Sequence, residues 1–242
     1  IQSVEAQIPE CHINVFTTSD RYDNILSTEP KLKKYLKVAK DYVRDCKYIG
    51  FLKFNEEIFS QDYDYFIMLD SDMLFYYGDI YKLFGDNLGM SLLRGSHDFY
   101  HYHHYIWTEE EKQEYSNPRL SADSGFFGLP KNICLDMSEF AKQQIHKFEI
   151  NKYSSDNSIE ITNLAFAEQS LYNKFILLNQ LDAKLLNLGN MIIDITLKFT
   201  KEQVAEKAKK NHHNKIYHFP AFNSGISKLQ NMKYFLEITN NE

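Results

Sequence analysis

Glycine, proline and cysteine are scarce in this chain of 242 residues, at 9, 5 and 3, and there is a single tryptophan. So little glycine and proline excludes collagen-like repeats and leaves no composition for extended disordered segments. The cysteines, Cys11, Cys46 and Cys134, are odd in number and far apart, which argues against a disulfide framework and fits reduced, inert thiols. A large excess of one charge is missing too: 27 Lys+Arg stand against 33 Asp+Glu, a net charge of −6. No basic stripe is interleaved with aromatics, so a broad nucleic-acid surface has no footing and any anionic ligand must be met locally. No uncharged apolar run reaches the roughly 18 residues that a spanning helix needs, and no basic-then-apolar leader opens the sequence. The expectation is a soluble, cytoplasmic protein. The first residue is Ile, which leaves room for a chain trimmed from something longer.

Hydrophobic residues make up 43% of the chain and aromatics 15%, enough to bury a sizeable core in a single domain spanning 1–242. The run His12–Asp20 reads as a strand closed by polar residues. After Pro30, Leu32, Leu36, Ala39 and Val43 recur at helical spacing down to about Asp45, and a second helical stretch lies near Gly50–Ser60. Tyr63–Leu69 is an apolar run apart from Asp64, the pattern of a parallel strand buried on both faces. Further strands are expected at Met90–Arg94, Asp123–Leu129, Lys184–Leu188 and Lys215–Phe219, and helices at Ser138–Tyr153, Ala167–Leu178 and Lys201–Lys210. Such alternation predicts an α/β fold with a mixed, mostly parallel sheet flanked by helices. No internal repeat and no linker interrupts it.

The feature richest in chemistry is Asp70-Ser71-Asp72, at the end of that apolar run. Two carboxylates one residue apart beside apolar neighbours need a compensating cation. Oxygen ligands favour Mg2+ or Mn2+ over zinc, and such an ion can also bridge to a diphosphate. The plain alternative is a pair of surface acids in a turn.

The surrounding stretch, Asp64-Tyr-Phe-Ile-Met-Leu-Asp-Ser-Asp-Met-Leu-Phe-Tyr-Tyr-Gly-Asp-Ile-Tyr-Lys-Leu-Phe84, resembles the nucleotide-sugar glycosyltransferases of the GT-A fold. It is most similar to family 8, the retaining galactosyl- and glucosyltransferases related to glycogenin. The matching elements are Leu69, Asp70, Asp72, Gly78, Asp79, Ile80 and Leu83. The resemblance implies that Thr17, Thr18, Asp20 and Tyr22 cradle a uridine with the Tyr22 ring on the base, and that Lys53 stands against the donor. It places Asp123, Ser124 and Gly125 in a turn beside the donor sugar, with Asp where the family has Asn. Glu168 and Gln169 resemble the Asp-Gln segment that faces the anomeric carbon. His218 corresponds to the family's third metal ligand beside Asp70 and Asp72, Ser71 lies within the motif, and Lys228 resembles a lysine that steadies the diphosphate, three or four positions later than usual.

A second alignment resembles family 6, the group related to the ABO blood-group transferases. Ile1–Glu10 is then the tail of a first helix, Val15–Asp20 the second strand, Gln169 stands where that family has Glu, and the nucleotide roles of Asp20 and Tyr22 fall away. Both families retain anomeric configuration. Each residue also has a bland reading: Gln169 as a polar residue on an exposed helix face, His218 as a hydrogen-bonded loop histidine, Lys228 as a solvated lysine, Asp123 as a turn residue. The aromatic and His-rich segment at 97–118 reads as an acceptor-side insertion or an aromatic loop packed on the sheet, since His101, His103 and His104 lack the i, i+4 pairing of a helical zinc site. The Lys-rich stretch Lys201–Lys215 is a solvated helix first and a peripheral contact with an anionic membrane second. Residues 199–242 are expected to carry the C-terminal helix and the late metal ligand.

What the resemblance implies is a metal-dependent retaining transferase that moves a hexose from a UDP-sugar to a hydroxyl of a glycan or glycolipid, with Mn2+ or Mg2+ held by Asp70, Asp72 and His218. The resemblance implies attack on the donor's front face assisted by the leaving phosphate, and no enzymic nucleophile is evident. The alternatives are a non-catalytic sugar- or metal-binding protein on a transferase scaffold, or a nucleotidyltransferase. The last predicts a Gly-rich phosphate loop after the first strand, and Thr17–Asn24 has no Gly.

Overall fold

The computed structural model describes residues 1–8, 10–17, 19–38, 53–76, 90–93, 106–114, 122–150, 167–181, 192–195, 199–209, 215–219 and 225–239. In chain order the elements are α1 (Gln2–Gln7), β1 (Val15–Thr17), α2 (Ser19–Thr28), a 3-10 helix over Pro30–Lys34, β2 (Leu36–Val38), α3 (Glu56–Phe59), β3 (Tyr65–Leu69), β4 (Met73–Tyr76), β5 (Met90–Leu93), α4 (Glu109–Glu114), β6 (Ala122–Pro130), α5 (Lys131–Ile150), α6 (Ala167–Leu178), β7 (Ile192–Asp194), α7 (Lys201–Ala208), β8 (Lys215–His218) and α8 (Gly225–Thr239). This is a mixed α/β protein. It forms two compact units, one made of Ile1–His12, Leu69–Asp86 and Leu188–Glu242, the other of Ile13–Met68 and Asn87–Asn187.

The first unit is built on a three-stranded sheet of order β4-β8-β7. β8 runs antiparallel to β4, with Met73 opposite His218, and parallel to β7, with Asp194 opposite His218. In β8 the two middle residues, Ile216 and Tyr217, are buried while Lys215 and His218 are partly open, so the strand is covered at its centre and accessible at its ends. The core gathers Leu74, Ile195, Val204, Tyr217, Phe219 and Phe235. Phe235 of α8 meets Tyr217 at 4.6 Å and Phe219 edge-on at 5.7 Å between ring centroids, separations at which aromatic pairs attract. Thr200 and Gln203 close a capping box at the start of α7, satisfying two helix-end donors reciprocally.

In the second unit β1 pairs with β2 in parallel, and a separate sheet has the order β3-β6-β5 with β5 antiparallel to β6. The register jumps between Ser91 and Leu92, from Phe127 to Asp123 on β6, so Ser124–Phe126 bulge. The core packs Phe54, Phe59, Phe66, Phe127, Met137 and Tyr172 among others. Lys174 is fully buried in α6; its ammonium donates to the Ile106 carbonyl at 2.6 Å and to Glu111 Oε2 at 2.7 Å, and lies 5.2 Å from the Trp107 ring centroid. A buried cation satisfied in this way holds the segment 106–111 to the helix.

Several sequence expectations meet a different structure. The strand expected over His12–Asp20 ends at Thr17, and α2 begins at Ser19. The helix expected after Pro30 is a 3-10 helix followed by β2, because pairing with β1 outweighs the weak local period. The apolar run Tyr65–Leu69 is not covered on both faces: β3 is at the edge of its described sheet and Ile67 is 36% exposed. The helix expected from Ser138 begins at Lys131, immediately after Pro130 ends the strand. The strand expected at Asp123–Leu129 is β6, so the turn that the resemblance assigns to Asp123–Gly125 is strand instead. Within the segment 97–118, Ile106 and Trp107 are core, as the packed-loop reading expects. Strands Met90–Leu93 and Lys215–His218 and helices Ala167–Leu178 and Lys201–Ala208 match closely. The strand expected at Lys184–Leu188 and the motif residues Gly78, Asp79, Ile80 and Leu83 lie outside the described residues, as do His101, His103 and His104.

Candidate functional site

The Asp-x-Asp triplet forms the turn between β3 and β4, closed by the Met73 amide donating to the Asp70 carbonyl at 3.2 Å. The Asp72 carbonyl accepts from the Phe219 amide at 3.0 Å, which extends the β4–β8 ladder by one step and ties the turn to the end of β8. From the other side, the Ile195 amide donates to the His218 carbonyl at 2.7 Å. Three strand ends are therefore fastened at one level by main-chain bonds, and their polar residues project from a shared rim.

At that rim the Asp72 side chain is 13% exposed, and its Oδ2 faces His218 Nε2 at 3.7 Å and contacts Lys228 Nζ. Its Oδ1 is buried and has no hydrogen-bond partner among the described residues. His218 Nδ1 bonds Asp194 Oδ1 at 2.9 Å. Burial by itself would raise the Asp72 pKa, but the polar contacts with His218 and Lys228 and the charge of Lys228 outweigh it and hold the group down to about 2. It is a firm carboxylate at neutral pH. Lys228 enters from the first turn of the 15-residue helix Gly225–Thr239, whose amino end carries partial positive charge.

The sequence named Asp72, His218 and Lys228 for this site, and the structure brings the three together; Asp70 is half-buried and Ser71 exposed in the same turn. In the structure the Asp72 carboxylate faces Lys228 and His218 of the chain itself. Among the described residues no group of three or more His, Cys, Asp or Glu is arranged to hold a metal ion. What does fit one is a donor pair. A carboxylate and an imidazole facing each other suit Mn2+, and a buried carboxylate oxygen lacking any hydrogen bond has coordination left to give. A cation taken there would displace Lys228 from Asp72 Oδ2.

Asp194 was missed. It ends the apolar run Met191-Ile-Ile just as Asp70 ends its own, and that shared pattern was the signal available.

The remaining residues named from the sequence belong to the second unit. Thr17 is buried at the end of β1; Asp20 and Tyr22 lie in the first turn of α2, and Lys53 precedes α3 half-buried. Asp123, Ser124 and Gly125 lie in β6, where Gly125 falls in the bulge, a place that tolerates the missing side chain. Glu168 and Gln169 occupy the first turn of α6 half-buried, and the Gln169 carbonyl accepts from Asn173 Nδ2 at 2.8 Å. Thr18 lies outside the described residues. No helix among the described residues is long and apolar enough to cross a membrane.

No protein-family model matches the chain, and no curated protein matches it.

Proposed function

We propose that this chain is a metal-dependent retaining glycosyltransferase of the GT-A fold, transferring a hexose from a nucleoside diphosphate sugar, UDP-linked by preference, to a hydroxyl of a glycan or glycolipid. The observation that carries it is the convergence of Asp72, His218 and Lys228, residues far apart in sequence and singled out by motif, on one strand-end rim. Asp72 and His218 would hold Mn2+ or Mg2+, with Asp70 beside them in the turn. When bound, the ion would neutralise charge on the diphosphate as it leaves. Lys228, freed from Asp72, would turn to a phosphate oxygen, helped by the amino end of its helix. Gln169 and Asp123 would position the donor sugar and Glu168 would steady positive charge at the anomeric carbon. Thr17, Thr18, Asp20 and Tyr22, with Lys53, Ser124 and Gly125, would form the nucleotide side.

A panel of nucleotide sugars in a thermal-shift assay, with and without Mn2+, tests this. UDP or a UDP-sugar should raise the melting temperature only with Mn2+ present, slow UDP-sugar hydrolysis should follow, and Asp72→Ala should abolish both. The Lys228–Asp72 pair favours a second reading, a transferase scaffold that binds without turnover. Mn2+-dependent UDP binding with no hydrolysis or transfer for any donor would select it. Binding of no UDP compound under either condition would reject both.

A further inference from the structure

We propose that Asp194 is a positioning residue for His218: it holds the imidazole with Nε2 turned to Asp72, so that the two side chains form a preset donor pair for a divalent cation. This rests on the metal reading of the site given above. β8 is the central strand of its sheet, and His218 is its last residue. On one flank Met73 is its antiparallel partner, with Asp72 one residue beyond; on the other, Asp194 is its parallel partner. The imidazole thus stands between two carboxylates, 2.9 Å from Asp194 Oδ1 through Nδ1 and 3.7 Å from Asp72 Oδ2 through Nε2. The shorter distance is a hydrogen bond, whereas the longer one leaves a gap between two groups that can both donate electron pairs.

An imidazole left to rotate can offer either nitrogen. With a carboxylate accepting from Nδ1–H, the ring is fixed in orientation and Nε2 is the nitrogen presented to a cation. The Asp194 side chain is 44% exposed. A pair this open contributes little to folding, so its loss is separable from collapse of the unit.

The full chain, titrated with Mn2+ alone and followed by electron paramagnetic resonance, gives the test. Asp194→Ala should weaken Mn2+ binding by about 10–100-fold, with a metal-free melting temperature close to that of the unsubstituted chain. Asp194→Asn, which keeps an oxygen to accept Nδ1–H, should recover most of that loss, a rescue that a merely structural role would not produce. In metal-free protein carrying 15N-histidine, the long-range 1H–15N spectrum should show His218 protonated at Nδ1. Unchanged Mn2+ affinity in Asp194→Ala overturns the inference and leaves the metal reading standing. An unsubstituted chain that binds no Mn2+ overturns the metal reading and this inference with it. Should Asp194→Ala fail to fold, the spectrum of the unsubstituted chain decides, and a ring protonated at Nε2 alone overturns the proposal.

Discussion

Asp72 is held in its charged form by neighbours that could also release it. A carboxylate this buried is strongly destabilising when left alone, and its contacts with His218 and Lys228 come from residues 146 and 156 positions later in the chain (218 − 72 and 228 − 72). Replacing Lys228 with Met should therefore have two opposed effects. Mn2+ alone should bind more tightly, by isothermal calorimetry, because an internal competitor is gone, while Mn2+-dependent UDP affinity should fall several-fold. Equal weakening of both would mean that Lys228 organises the site rather than competing for it. Cys134 offers a prediction of the opposite sign. It is fully buried, and burial pushes its thiol well above the usual cysteine range. The folded state keeps the proton that the unfolded chain releases above about pH 8.5, so this contribution to stability is full below that pH and declines as pH rises past it. Iodoacetamide at pH 8 should leave Cys134 unmodified in the native protein, by mass spectrometry, and should modify it in denaturant. Rapid native labelling would contradict the burial.

At the scale of elements, the strands that carry the site are short, and main-chain pairing rather than local preference defines them. β7 has three residues, and what makes it a strand is its parallel register with β8. The helices are more self-sufficient. The capping box of α7 is legible in Thr200-Lys-Glu-Gln203, and Thr200→Ala should cost about 1 kcal/mol, read as a lower denaturant midpoint with an unchanged m-value. The helix Ala167–Leu178 has a tertiary constraint that its apolar period conceals, since Lys174 sits within the buried face. Lys174→Ala removes a buried cation that joins Glu111 and the Ile106 carbonyl and should cost about 3 kcal/mol, whereas Lys174→Met, apolar and of similar length, should cost clearly less. An equal loss in the two variants would mean that the charge, which both remove, governs the position rather than the volume.

At the scale of the whole molecule, the described residues of each unit include a core with its own aromatic cluster. The candidate ion site belongs wholly to the unit built on β4, β8 and β7, so ligand should stabilise that unit directly. Bound at 100 times its Kd, Mn2+ with UDP should add about 2.7 kcal/mol, seen in hydrogen exchange as slowed amides in 192–195 and 215–219. Protection absent from those residues would place the site elsewhere. Short-range period is enough for the α/β character, the later helices and the turn of twin acids, whereas His218 and Lys228 are reached from the sequence only through its resemblance to a known family. That Asp194 bonds His218, that Lys228 rests on Asp72, that Lys174 is buried and that Leu36–Val38 is a strand emerges only from the folded chain. Those outcomes depend on register between segments distant in the chain, and a strand's partner is set by cross-strand packing and hydrogen bonding that no local pattern encodes.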